Sequence, residues 1–410
     1  MKTIKLTAMA FGLAAANVFA QEATTAQTAN QPAVEPTKAT DVTVEKKGPE
    51  LKVSGKAEFD AYAQASTAQD QRIYHSYAST IDVDFNVKFN KNWSAFAEIE
   101  ADGDDEAPHV TYKKAYVQYN KGDNFILRVG DFTFSEGAFT FYNYDDAGIY
   151  AAGMREHDIR GLDLQFNGLQ FGVGFGRGNN DVSCLNSESF PCDYGESKSY
   201  DVHLAYQFDI AGQTFRPFVH YKSWQNKDAN ELHAGLHTDL LLGPFDIHAV
   251  YGLHADRLKK SYPNATHALL AEPTLNLGRV FIKTGIFFAF FDDDMDKATI
   301  HKTSATYYEI PEYKFAYGEV DFKALDIFTV GLIGEWHTNT LDNSKELGSV
   351  NFGTRLYFNP VKNLDMTGFV KAIIPVGDDW KKGEHSNWVS TTDYGKDVSF
   401  NFGLETVFKF

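Results

Sequence analysis

The sequence predicts an all-β chain, a transmembrane antiparallel β-barrel of about sixteen to eighteen strands. Three observations carry this expectation. Apolar and polar residues alternate with period two over long stretches. The connectors between those stretches sort into tight turns and long polar loops. No run of eighteen apolar residues supplies a helical span.

Lys2 and Lys5 precede an apolar stretch from Leu6 to Ala16, and Val18-Phe19-Ala20 gives the small-x-small pattern cut before Gln21. Residues 1–20 are therefore expected to be a signal peptide, too short in its apolar part to cross a bilayer as a helix. Residues 21–52 are rich in Ala, Thr, Gln, Pro and charge, as in Gln31-Pro32-Ala33-Val34-Glu35-Pro36, and read as a disordered periplasmic linker. The barrel is expected over 53–410.

Within it, Ile81-Asp82-Val83-Asp84-Phe85-Asn86-Val87-Lys88-Phe89 places apolar side chains at odd positions and polar ones at even positions. A strand sends these sets to opposite faces, and a stretch this long suits a tilted bilayer span. Leu162, Leu164 and Phe166 lead through Asn167-Gly168 into Leu169, Phe171, Val173 and Phe175, a strong hairpin signal. Alternation recurs over 232–240, 245–255, 280–290 and 350–358, while 265–277 and 312–336 are ambiguous and leave one hairpin undecided. Tight links are expected at Asn90–Asn92, Lys121–Asn124, Asn167-Gly168, Gly243-Pro244 and Asn359–Asn363. Long loops are expected near 64–77, 103–109, 132–158, 178–197, 292–311 and 376–396. Short turns at one end and long loops at the other distinguish a membrane barrel from a soluble sandwich.

Composition agrees, with 34 Phe, 21 Tyr and 32 Gly suiting strands, interfacial aromatics and tight turns. Trp93, Tyr119, Phe166, Phe208, Phe358 and Phe410 fall beside the short turns and read as an aromatic girdle. The formal charge of −17 excludes a nucleic-acid partner, whose phosphates demand a basic face. The only cysteines, Cys184 and Cys192, are close together in a polar segment and are expected to form a disulfide. GxSxG and HExxH motifs are absent from the sequence, and thirty linker residues make no plug domain, so neither an enzyme nor a cofactor is expected.

The chain ends Val398-Ser399-Phe400-Asn401-Phe402-Gly403-Leu404-Glu405-Thr406-Val407-Phe408-Lys409-Phe410. This alternating strand with its terminal Phe resembles the C-terminal insertion signal of bacterial porins, carried here by Phe408 and Phe410. Phe125-Ile126-Leu127-Arg128-Val129-Gly130-Asp131-Phe132 and Arg160-Gly161-Leu162-Asp163-Leu164 resemble the region around the constriction loop of Gram-negative porins, the phosphate-selective group in particular. The resemblance implies an outer-membrane porin: a water-filled channel for passive diffusion of small polar solutes and ions, with a third loop folded into the pore. It also implies a homotrimer, outer-membrane lipid and lipopolysaccharide as surroundings, and the barrel assembly machinery as a partner. A non-conducting structural or adhesive barrel, working through its long loops, is the alternative.

Charge assigns the candidate residues. At the constriction, Asp131, Glu136, Asp145 and Asp146 are expected to face Arg128, Arg155 and Arg160, either as a transverse field or as ion pairs pinning the loop. The expected lumen lining includes Glu58, Asp82, Asp84, Glu98, Glu100 and Asp163. An anion-selective pore needs a basic ladder, so this acidic lining predicts a mild cation preference. His203, His220, His233, His237, His248 and His254 fall on the same predicted face and read as ordinary polar lining, with no metal expected. The acidic run Asp292–Asp296 reads as a solvated loop tip.

Overall fold

The computed structural model describes residues 48–66, 74–103, 109–122, 124–136, 156–176, 199–224, 230–256, 264–291, 312–340, 346–376 and 398–410. Among these, nineteen strands form a single sheet. They are β1 (Glu50–Ser66), β2 (Tyr74–Lys88), β3 (Trp93–Asp102), β4 (His109–Asn120), β5 (Phe125–Ser135), β6 (Glu156–Phe166) and β7 (Leu169–Gly176). Next come β8 (Ser199–Tyr206), β9 (Phe208–Ile210), β10 (Gln213–Trp224), β11 (Asn230–Leu242), β12 (Phe245–Asp256) and β13 (Asn264–Asn276). The last are β14 (Val280–Phe291), β15 (Glu312–Leu325), β16 (Phe328–Thr340), β17 (Glu346–Val361), β18 (Leu364–Val376) and β19 (Ser399–Lys409).

Sequential neighbours pair antiparallel, and β19 pairs back onto β1 from Lys409↔Lys56 to Ser399↔Ser66. The sheet is therefore closed. β8 and β9 both pair β10 and are interrupted only at Gln207, so they make one stave of an eighteen-stranded barrel. Closure matters in a bilayer, where each unsatisfied backbone group costs several kcal/mol and an open edge would present a row of them.

Eighteen staves resolve the undecided hairpin in favour of the longer count. The ambiguous stretches are β13 and, over 312–336, β15 with most of β16, and the inner faces of β13 and β15 explain the ambiguity. Ala268 and Leu270 of β13 and Phe315 and Tyr317 of β15 point inward yet are apolar or aromatic and buried. With both faces apolar, alternation disappears. The barrel begins at Glu50 rather than Val53, and β17 runs to Val361, so the expected turn at Asn359–Asn363 narrows to Lys362-Asn363. Alternation also passes over short links at Ala211-Gly212, Leu277–Arg279 and Asp326-Ile327. At Asn167-Gly168, φ values of 48° and 84° form the left-handed pair that a two-residue hairpin of this twist requires.

The outer face is a belt of exposed apolar side chains, among them Val53, Val129, Phe171, Leu204, Leu332 and Phe402. At the short-turn end aromatic rings meet across strands, Trp93 with Tyr119 at 4.9 Å and Phe208 with Phe215 at 5.7 Å, and along them, Tyr206 with Phe208 at 5.7 Å and Phe408 with Phe410 at 6.2 Å. Rings in this position suit the lipid–water interface.

Candidate functional site

The lumen is built from the other parity of each strand, and its two sides differ. Along β1–β3 the inward residues Glu58, Asp60, Asp82, Asp84, Glu98, Glu100 and Asp102 are all partly open to solvent. Ammonium groups answer some of them: Lys56 lies 2.8 Å from Glu58 on its own strand and, across strands, 3.5 Å from Asp82, with Lys113 2.6 Å from Glu100 and Lys114 3.4 Å from Glu98. A register shift between Glu98 and Ile99 places both lysines of β4 beside this acidic row. From β8 to β17 many inward residues are buried instead, including His203, His220, His233, Leu270, Glu272, Phe287, Phe315 and Asn351. One side of the lumen is wet and acidic, and the other is densely packed.

A polar chain crosses from β4 to β10 where these sides meet. Arg128 donates to Gln118 at 2.7 Å and lies 3.4 Å from Asp163. Asp163 accepts from Gln165 at 2.9 Å and Gln170 at 3.0 Å, and Gln170 accepts from Arg216 at 2.6 Å. Arg216 also holds Glu136, with 2.9 Å from Nε to Oε2 and 2.5 Å from Nη2 to Oε1, while His203 Nε2 lies 3.3 Å from the same carboxylate. Glu136 follows directly on β5, at the root of the third loop. It therefore fastens that root to a strand on the far side of β6–β8.

Glycine makes room for the Phe134 ring. Phe134 stacks on His203 with ring centroids 4.1 Å apart. A Cβ at Gly172 would sit 2.1 Å from Phe134 Cζ, so no other residue fits beneath the ring without displacing it. Gly172→Val is expected to destabilise the barrel by about 1–3 kcal/mol through overpacking. Thermal unfolding in detergent measures it, and Phe134→Ala in the same chain should restore part of the loss. An unchanged melting temperature would mean that Phe134 does not occupy this seat.

Two expected constriction residues are corrected. Pairing runs unbroken through Val129↔Leu162, Gly130↔Gly161 and Asp131↔Arg160, so Asp131 shares a face with Val129 and Arg160 with Leu162. That is the outer face. There they form a bidentate pair at 2.7 and 3.0 Å, and Tyr112 donates to the same carboxylate. Their charge pointed inward, but strand parity decides the face. Arg128 and Glu136 do lie inside. Asp145, Asp146 and Arg155 fall outside the described residues, as do Cys184 and Cys192, the segments 1–47 and 292–311, and most of the third loop.

The sequence places Arg355 on the lumenal face, whereas Lys283, Glu319, Asp321, Glu335, Tyr357 and Lys371 escaped it. On β14–β17, Lys283 lies 2.7 Å from Asp321 and 3.5 Å from Glu319, Arg355 lies 3.1 Å from Glu319, and Tyr357 donates to Glu319 at 2.5 Å. Above them Lys371 approaches Glu335 at 3.1 Å, and Glu335 accepts from Asn351 at 2.8 Å. The inward parity of 312–336 could have flagged Glu319, Asp321 and Glu335 once β15 and β16 were recognised as strands.

The histidines converge as well. His203↔His220, His220↔His233 and His233↔His254 are direct register partners, so four staves carry histidine on one rung. His157 enters from β6, with its ring stacked 3.7 Å from that of His220. Nearer the short turns, His237 and His248 flank Asp239, with His248 Nδ1 2.8 Å from its carboxylate.

A closed eighteen-stave antiparallel barrel with an apolar belt and a polar lumen defines the fold of an outer-membrane channel protein. Solved structures share it. A BenF-like porin from Pseudomonas fluorescens Pf-5 superposes with a TM-score of 0.53 at 10% identity, covering 88% of this chain and 99% of that one. OccAB4 of Acinetobacter baumannii gives 0.52 at 10% identity, covering 89% and 99%. OccK2 of Pseudomonas aeruginosa, in complex with glucuronate, gives 0.54 at 14% identity, covering 88% and 98%. No protein-family model matches the sequence, and no curated protein matches it. The likeness is to the porin barrel as a class, and it does not extend to a phosphate-selective subgroup.

Proposed function

We propose that this protein is a porin of the Gram-negative outer membrane, passing small polar solutes and ions by passive diffusion with a mild preference for cations. The observation that carries this reading is the wet side of the lumen. Glu58, Asp60, Asp82, Asp84, Glu98, Glu100 and Asp102 remain accessible to solvent there, and Lys56, Lys113 and Lys114 are the ammonium groups paired with them. Lys52 of β1 and Lys88 of β2 lie on the same parity, yet carboxylates still outnumber ammonium groups, and such an excess along an aqueous wall raises the local concentration of cations and lowers that of anions. A phosphate-selective channel would need the opposite balance.

On this reading the surroundings are outer-membrane lipid and lipopolysaccharide, insertion depends on the barrel assembly machinery through Phe408 and Phe410, and the assembly is a homotrimer. The chain acts as a conduit, without catalysis. The test is single-channel conductance of the refolded protein in a planar bilayer, with reversal potential under a salt gradient. Stable steps with cation preference are expected. Replacing Asp82, Asp84, Glu98 and Glu100 by their amides should move the reversal potential toward anion preference at unchanged fold. A folded barrel that never conducts would overturn the channel reading and favour the structural or adhesive one. Conductance with anion preference would overturn the acidic wall as the selectivity element.

A further inference from the structure

We propose that Glu231, His233 and His254 form a binding site for a first-row divalent transition-metal ion inside the barrel. Each of these residues offers one ligand atom, and the three atoms lie within 4.8 Å of one another. His233 Nε2 is 3.5 Å from Glu231 Oε2 and His254 Nε2 is 4.0 Å from the same oxygen. Direct register pairing of His233 with His254 stacks the two imidazoles with centroids 4.3 Å apart, and Glu231 lies two residues before His233 on the same face. Small side-chain rotations bring such atoms to the spacing of ligands about 2.0–2.1 Å from a common ion.

Burial is the second, independent observation. His233 is fully buried, and neither of its ring nitrogens has a hydrogen-bond partner among the described residues. Leaving a buried polar group unsatisfied costs about 1–3 kcal/mol. A metal ion removes that cost at one of the two ring nitrogens, the unprotonated nitrogen of a neutral imidazole being a ligand as well as an acceptor. Two imidazoles and one carboxylate match the donor set of zinc-class ions and leave a position for water or a passing solute. Magnesium and calcium prefer oxygen ligands throughout and do not fit it.

The second histidine group makes a useful contrast. In His237, Asp239 and His248 the carboxylate side chain is 55% exposed, and His248 already bonds it at 2.8 Å. Its donors are engaged and wet, so the buried trio is the stronger site. Lys222 and Asp256 stand opposite Glu231 in register, and Asp201 stands opposite Lys222. Lys222 is the positive charge that opposes a bound dication, so Lys222→Met should tighten binding.

The experiment uses the full chain refolded in detergent, with Co²⁺ as the probe. Its visible absorption reports low-coordinate nitrogen and oxygen ligation, and Zn²⁺ displaces it. Saturable binding with displacement by Zn²⁺, and none by Mg²⁺ or Ca²⁺, is expected. His233→Ala and Glu231→Gln should each weaken binding by at least the roughly 10–100-fold that loss of an outer partner alone produces. The paired substitution His237→Ala and His248→Ala should leave it in place. Heat-modifiable migration shows that each variant folds, and Glu231→Gln keeps the side-chain volume. Absence of a cobalt band, its survival in both Glu231→Gln and His233→Ala, or its loss only in the His237/His248 variant would overturn the proposal.

That a bound ion sits in a conducting path rests on the channel reading, whereas binding itself does not. A conducting barrel without cobalt binding removes only the metal site. A barrel that binds cobalt but never conducts removes only the channel.

Discussion

Deleting Ser399–Phe410 is expected to abolish the folded barrel rather than weaken it. β19 pairs along its length with β1 on one side and β18 on the other, so its removal opens two edges at once. Phe410 adds a reciprocal backbone pair with Gly55, N to O at 3.0 Å in both directions. In a soluble sheet water would solvate the freed groups. In lipid each costs several kcal/mol, and the deletion exposes a full strand of them on either edge. That sum exceeds any plausible barrel stability, which for proteins in general is of order 5–15 kcal/mol. The measurement is heat-modifiable migration and far-ultraviolet dichroism after refolding in detergent. Phe410→Ala, which removes a ring and keeps the strand, should still fold. A truncated chain that migrates as a closed barrel would mean that β1 and β18 can pair directly, contradicting the closure described above.

Arg216→Ala carries the second large effect. Glu136 is nearly buried, with 6% of its surface exposed, and Arg216 supplies its charge-paired hydrogen bonds. Breaking a buried pair by removing one partner costs about 3–5 kcal/mol, because the remaining charge is left without compensation. His203 Nε2, 3.3 Å away, offsets only part of this. Two readouts should move together. Thermal unfolding should shift to lower temperature, and single-channel current should become larger or noisier as the root of the third loop comes free of β10. Glu136→Gln combined with Arg216→Ala removes the stranded charge and should recover stability without restoring the quiet current. If Arg216→Ala matched the wild type in both, the pair would not be pinning the loop root.

The site was legible unevenly, for physical reasons. Arg128, Glu136, Asp163 and the carboxylates of β1–β3 lie on the expected face because parity survives in clean alternation. Asp131 and Arg160 were misplaced because charge was allowed to outweigh parity, although their neighbours Val129 and Leu162 point to the outer face. Glu319 and Asp321 were missed because β15 packs Phe315 and Tyr317 inward, and Glu335 because β16 carries Gly331 and Ile333 on its inner face; both erase the alternation that announces a strand. The histidines were seen on one face, but nothing in the period-two pattern places them at one height.

The sequence by itself determined that the chain is a β-barrel, where several of its tight turns fall, and which parity meets lipid. These are local properties: a side chain's face follows from its neighbours, and a tight turn from two residues. Only the tertiary structure decided the register. Whether His203, His220, His233 and His254 share a rung depends on hydrogen-bond pairing between staves, on turn lengths and on bulges such as that at Glu98/Ile99. The same holds for Glu136 reaching Arg216, eighty residues away. A sliding strand keeps its faces at every second step but changes every partner, so a one-dimensional pattern specifies the wall and leaves the chemistry across it to the closed sheet.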